Sequence, residues 1–181
     1  QRPTDSLFFA ILPNANVAAR IAQLAQHLRG EHGLKGRLIA PERLHITLHH
    51  LGNYAGLPQG VVAAAGDAAA TVTMPPFEVA FDRVESFTGG PHNRPFVLRA
   101  GDGVAALKKF QLALGTAMKK AGLGRWVESR DTPHVTLLRD DPRVAEQVVE
   151  AIGWRVHEFV LVHSLLGQSL YVPLMRWPLR G

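Results

Sequence analysis

The pattern His-x-Thr-Leu is written twice in this chain, as His45-Ile46-Thr47-Leu48 and as His134-Val135-Thr136-Leu137, 89 positions apart. With nine His and eight Thr among 181 residues, random placement gives about 0.4 His-x-Thr triplets, so two copies that also share an apolar middle residue and a trailing Leu are a signal. Side chains on a strand alternate between faces. His45 and Thr47 would therefore share one face and Ile46 and Leu48 the other, and His134 and Thr136 would oppose Val135 and Leu137 in the same way. The apolar pairs belong in a core, and the His/Thr pairs line something polar. Two such strands side by side would set two imidazoles and two hydroxyls around one cleft. In-line displacement at phosphorus uses such a set: a base on the attacking oxygen, an acid on the leaving oxygen, and donors for the non-bridging oxygens. Histidine suits both proton-transfer roles, because one copy can be neutral and another protonated near pH 7. A single His on a strand is most often a surface or satisfied residue; the matched second copy shifts the reading to chemistry.

That chemistry requires no metal. The chain has no Cys, which excludes disulfides, Cys-ligated zinc and thiol catalysis. His45, His49 and His50 raise a zinc-site reading, since imidazole is a common ligand. On a strand, however, His45 and His49 would lie about 13 Å apart, so no metal and no cofactor are expected. The remaining histidines read as packing residues (His157, His163) or solvent-facing ones (His27, His32, His92). Trp126, Trp154 and Trp177 read as core or lobe-edge residues. Lys108-Lys109 and Lys119-Lys120 read as a solvated helix face.

The elements that must position the motifs follow from periodicity. Ser6–Leu12 is apolar and aromatic, fit for a buried strand. Val17, Ile21, Leu24 and Leu28 then recur at helical spacing, with Asn14 or Asn16 as N-cap and Gly30 near the end. Leu44–Leu51 reads as a strand, Pro58–Ala70 as an Ala-rich helix, Phe77–Phe87 and Phe96–Arg99 as strands, and residues 89–95 as a loop. Gly103–Ala121 is a second clear helix, closed by Gly122. Pro133–Leu138 is the second motif strand. Asp141–Ile152 reads as a short helix with Pro142 in its first turn, and two closing segments form a hairpin near Gly167 and Gln168. Each half thus holds a long amphipathic helix followed by one motif strand, as in a duplicated α+β lobe.

Length and composition fit one globular domain, with 46% hydrophobic and 19% charged residues. No apolar run reaches the roughly 18–20 residues of a membrane span. The opening residues read as a strand entering a turn at Pro13, not as a signal peptide; with no initiator Met, the natural N-terminus is expected upstream. The net charge is +5, carried by 15 Arg and only 5 Lys. Arg offers a planar fork for phosphate oxygens and suits a polyanionic partner, although Arg-for-Lys usage also follows from a GC-rich genome.

Four stretches carry a family resemblance: LFFAILP (residues 7–13), RLHITLHHLG (43–52), PHVTLLRD (133–140) and the closing FVLVHSLLGQSLYVPLMRWPL (159–179). Together they resemble the 2H phosphoesterase superfamily, and within it the bacterial RNA 2′,3′-cyclic phosphodiesterases, also called 2′-5′ RNA ligases. The resemblance implies one α+β domain over residues 1–181, made of two pseudo-symmetric lobes. Each lobe is an antiparallel sheet with flanking helices, and the two surround a central cleft. It implies opening of a terminal 2′,3′-cyclic phosphate to a 2′-phosphate, with reversible 2′-5′ joining as a related activity. His45 is then assigned as acid on the leaving 3′ oxygen and His134 as base on water, with the opposite order open. Thr47, Thr136 and Arg139 would hold the phosphate. His50 stands where relatives often carry Phe and would contact a base, and Arg130 would meet the polyanion at the entrance. The expected partners are RNA 3′ ends or nucleotides bearing a 2′,3′-cyclic phosphate, with no membrane, no obligate protein partner and a cytoplasmic setting. Two alternatives remain: the same mechanism on a small cyclic nucleotide or sugar phosphate, and a non-catalytic RNA-binding module.

Overall fold

The computed structural model describes residues 1–128 and 132–181. Its order is β1 (Asp5–Ile11), α1 (Ala15–Glu31), β2 (Ile46–Tyr54), α2 (Gln59–Ala70), β3 (Phe77–Ser86), β4 (Arg94–Arg99), α3 (Ala105–Lys120), β5 (His134–Asp140), β6 (Gln147–Val156), β7 (Glu158–Leu165) and β8 (Leu170–Pro178). Short 3-10 turns at Pro41–Arg43 and Gly124–Trp126 precede the two motif strands.

Local signals account for most of these boundaries. Asn14 caps α1 by accepting the amide of Val17 at 2.9 Å, relieving one of the unpaired first-turn donors. Gly122 follows α3 at φ +86°, a left-handed position that glycine adopts without strain. One expectation is overturned. The segment read as a helix over 141–152 is irregular up to β6 and then forms the first part of that strand, which pairs antiparallel with β3 from Phe77↔Val156 to Val84↔Gln147. Val144, Val148 and Ile152 imitate a helical period. The buried residues at its end are Ile152, Trp154 and Val156, and that alternation belongs to a strand.

Among the described residues the eight strands form one antiparallel sheet, ordered β6-β3-β4-β5-β2-β1-β7-β8. It divides into two four-stranded halves, each with one motif strand at its inner edge. The halves meet at one registered pair, Ile46↔Val135, so the expected lobes are two halves of a single sheet with a one-rung seam. The helices cover one face. α1 leaves the β1 half and packs beneath β5 and β6 of the other, while α3 spans β3 and β2. The main core lies under them and includes the fully buried rings of Phe9, Phe81, Phe96, Phe110 and Phe159, each contributing roughly 1.5–3 kcal/mol by burial. A smaller cluster of Phe8, Ala10, Val160 and Val162 lies on the opposite face of the sheet. No helix among the described residues is long and apolar enough to cross a membrane.

Candidate active site

The seam sets the site. Ile46 and Val135, the middle residues of the two motifs, are fully buried on the core side and form the rung that joins the halves. Alternation then turns His45, Thr47, His134 and Thr136 to the opposite face. Because the rung is antiparallel, His45 faces toward Thr136 and Thr47 toward His134. The imidazoles occupy one diagonal of a four-residue patch and the hydroxyls the other. All four side chains are half-buried.

Both imidazoles are oriented by the same device. The Nδ1–H of His45 donates to the carbonyl of Arg43 at 2.8 Å, and the Nδ1–H of His134 donates to the carbonyl of Thr132 at 2.7 Å. In each case the acceptor lies two residues upstream. This arrangement fixes the tautomer and leaves Nε2 for proton transfer, as a lone pair in the neutral ring or as N–H in the imidazolium. The surroundings differ. Phe8 stacks on His45 with centroids 4.9 Å apart, and Tyr171 meets it edge-on at 5.4 Å. That burial lowers the His45 pKa below its usual 6.5; the carbonyl of Arg43 opposes the shift, and the nearby charges of His134 and Arg43 add to it. Among the described residues His134 has one aromatic neighbour, Phe87, edge-on at 4.8 Å.

Both motif strands carry a bulge at the Leu after Thr. The β1–β2 register slips between Ala10↔Thr47 and Phe9↔His49, leaving Leu48 unpaired. The β4–β5 register slips between Val97↔Thr136 and Phe96↔Leu138, leaving Leu137 unpaired. A bulge resets alternation. Leu48 and His49 are consecutive buried residues, as are Leu137 and Leu138. His50 and Arg139 therefore return to the face of the histidines and occupy equivalent places in the two halves. Arg139 is exposed there, three residues past Thr136 yet on the same side of the sheet. His50 is on that side too, but both its nitrogens are engaged: Nδ1 accepts the amide of Gly52 at 3.3 Å and Nε2 contacts the Ser6 hydroxyl at 3.1 Å.

The bulge sends His49 into the core. Its Nε2–H donates to the carbonyl of Gln111 on α3 at 2.9 Å, and its Nδ1 accepts the amide of Glu128 at 3.0 Å. His49 is thus a tie between β2 and α3 on the side away from His45. Among the described residues no three His, Asp or Glu side chains converge as a metal-ion cluster would. Arg130 lies outside the described residues. His163 pairs with Asp5 at 2.5 Å, in register with the core-facing Leu7 and so away from the patch. Trp154 stacks on Phe81 and Trp177 on Phe159, as core residues. Phe8, Tyr171 and Phe87 flank the histidines and escaped the sequence reading. Phe8 sits in an all-apolar strand, where composition cannot say which face is which. A cavity of about 620 Å³ between α2 and α3, lined by Ala68, Thr71, Ala113 and Ala117 among others, touches neither motif.

A family model described as the 2′-5′ RNA ligase superfamily matches residues 13–168. Among solved structures, that of a phosphoesterase is similar at 28% identity and a TM-score of 0.76, covering 99% of this chain and 100% of its own. The Escherichia coli LigT structure with NADP+ is similar at 27% identity, TM-score 0.75 and the same coverage. TT0787 of Thermus thermophilus, at 23% identity and TM-score 0.74 over 97% of this chain and 98% of its own, shares the fold. No curated protein sequence matches the chain. Two His-x-Thr strands joined at a sheet seam and a family match over most of the sequence agree, and the chain belongs to the 2′-5′ RNA ligase superfamily of 2H phosphoesterases.

Proposed function

We propose that the chain is a metal-independent RNA 2′,3′-cyclic phosphodiesterase that opens a terminal cyclic phosphate to a 2′-phosphate, with reversible 2′-5′ joining as a related activity. The observation that carries this reading is the diagonal patch: two imidazoles, each held through Nδ1 by a backbone carbonyl, with two threonine hydroxyls between them. With the phosphate on the hydroxyls of Thr47 and Thr136 and near Arg139, the imidazoles flank it on opposite sides, as in-line displacement requires. Neutral His134 accepts a proton at Nε2 from water as the water oxygen bonds to phosphorus. The P–O3′ bond breaks, and the Nε2–H of His45 protonates the leaving 3′ oxygen. The products are a 2′-phosphate and a 3′-hydroxyl, and exchange with solvent resets the imidazoles. A 5′-hydroxyl attacking in place of water, with the P–O3′ bond breaking as before, gives the 2′-5′ linkage, and the reverse of that step cleaves it.

The test is hydrolysis of an RNA oligomer ending in a 2′,3′-cyclic phosphate, in EDTA, with product assignment. His45→Ala and His134→Ala should each cost at least about 10²-fold, the scale of a positioned acid or base. A phosphodiester with an activated aryl leaving group needs no acid. It should restore the rate of His45→Ala and not that of His134→Ala; the reverse pattern exchanges the roles. Turnover of a mononucleotide cyclic phosphate with none of the oligomer would identify a small-molecule enzyme, and turnover of neither a binding module.

A further inference from the structure

Next to His50, where β2 runs on past its single rung with β5 and meets the Gly124–Trp126 turn, lies a stack that the reaction does not use. Gly52 has φ +100°, and a Cβ built on it would come within 2.7 Å of Trp126 Cη2 and 2.8 Å of Cζ2. The indole therefore lies directly against the strand at a position that only glycine fits. The His50 ring meets Trp126 edge-on, with centroids 6.3 Å apart and planes at 80°. The guanidinium of Arg125 lies over the indole, its carbon 4.7 Å from the ring centroid. Trp126 is half-buried and Arg125 exposed, so the outer face of the guanidinium is open to solvent. Several arginines of the sheet are held by acids, Arg99 by Glu85 and Glu146, Arg155 by Glu78 and Arg176 by Glu158. Among the described residues Arg125 has no carboxylate partner. It is held flat by stacking and keeps its charge for something else.

We propose that Arg125 and Trp126, bordered by His50, form a stacking platform for the nucleobase next to the reacting nucleotide, so that this protein selects RNA chains over mononucleotides. The inference rests on the reading of the seam as the phosphate site. Thr47 and His50 pair with Ala10 and Phe8, so the bulge leaves them two rungs apart, about 7 Å along the strand, and the stack stands one ring further on. A phosphate held at the seam therefore places its own nucleoside near His50 and the neighbouring base over Arg125. An Arg plane and an aromatic face are surfaces on which single-stranded bases stack without regard to sequence. The fork of Arg125 can also meet the intervening phosphate.

The experiment reads binding, not turnover. Calorimetry compares a dinucleotide carrying a 3′-terminal phosphate with the corresponding nucleoside 3′-phosphate, at one salt concentration, for the wild-type chain, Arg125→Gln, Arg125→Lys and Trp126→Leu. A stacked base is worth about 5-fold to 100-fold in affinity. The wild type should favour the dinucleotide by at least that lower figure, and Arg125→Gln and Trp126→Leu should lower the ratio by a similar factor. Arg125→Lys should leave the ratio low, because an ammonium keeps the charge and loses the plane. Equal affinities in the wild type, an unchanged ratio in Arg125→Gln, or full recovery in Arg125→Lys would each overturn the platform. Arg125 is exposed, so its variants decide the matter even if Trp126→Leu misfolds. A chain that shows the ratio and hydrolyses no cyclic end fails the proposed reaction alone; one that hydrolyses it and shows no ratio fails this inference alone.

Discussion

Replacing Gly36 by alanine should damage stability and catalysis together. Only the upper part of β5 pairs with β2, and the remaining edge is occupied by residues 35–39. The amide of Ile39 donates to the carbonyl of Leu137 at 2.9 Å. The amides of Lys35 and Gly36 donate to Asp140 Oδ2 at 2.6 and 3.1 Å, and Arg29 Nε donates to the carbonyl of Gly36 at 2.9 Å. A Cβ on Gly36 would overlap the carbonyl oxygen of Arg139 and come within 3.1 Å of Leu138 Cδ1. The overlapped atom is backbone, so the strand or the loop must shift. Overpacking of this kind costs about 1–3 kcal/mol. At roughly 2–4 °C per kcal/mol for a chain of this size, a loss of about 2 kcal/mol lowers Tm by about 4–8 °C. The displaced residue is Arg139, so kcat/KM on a cyclic-phosphate oligomer should fall by about 10-fold or more, as expected when a phosphate contact is mispositioned. Gly103→Ala is the control. Its Cβ would overlap the Ala80 carbonyl, at 2.9 Å from Ala80 Cβ, on β3 away from the seam. That variant should lose Tm and keep kcat/KM. A Gly36→Ala protein with wild-type Tm and activity would refute the reasoning, and equal activity losses in both variants would show the effect to be global.

The pH dependence of kcat/KM should be bell-shaped, with the limb belonging to His45 below 6.5 because burial lowers its pKa. Phe8→Leu uncovers the ring and should move that limb toward 6.5; a limb that stays in place would remove Phe8 from the cause. Thr47→Ala and Thr136→Ala should each lower kcat/KM by about 10-fold to 10³-fold, the range spanned by donors to a developing charge, and losses below about 2-fold would take the hydroxyls off the phosphate. Asp5, bonded to Thr4, His163 and the amide of Gly56, has its pKa held below 3.8, chiefly by the Thr4 and His163 bonds. A lowered folded pKa means that the unfolded chain binds more protons, so this stabilisation is present above 3.8 and is lost as pH falls through the folded value. Asp5→Asn should therefore have a lower Tm than the wild type at pH 7, and the gap should close in acid; a gap independent of pH would point to lost packing instead.

That the two His/Thr pairs share one face was legible because alternation on a strand is local. His45 with Thr47 and His134 with Thr136 needed only a period of two, and the family stretches fixed the rest of that reading. What alternation could not supply was its own interruption. The letters TLHH and TLLR look like continuing strands, yet the bulges at Leu48 and Leu137 decide that His49 enters the core while His50 and Arg139 come back to the site. A bulge depends on the partner strand, and one sequence stretch does not contain its partner. The same blindness produced the mistaken helix at 141–152, where β-branched residues four apart imitate a helical stripe until β3 is placed beside them. The role of Phe8 was hidden for a related reason, since a strand apolar on both faces gives no hint of which side meets the substrate.

The one-rung seam has a consequence for how the protein fails. Two edge strands that share a single pair contribute little cohesion of their own; α1 and α3 beneath them act as straps holding the halves in register. The separation of the two imidazoles is therefore governed by the helical layer and not by the sheet that carries them. Mild heat or denaturant that slackens the straps would part acid from base while both half-sheets stay folded, so activity would disappear ahead of circular dichroism.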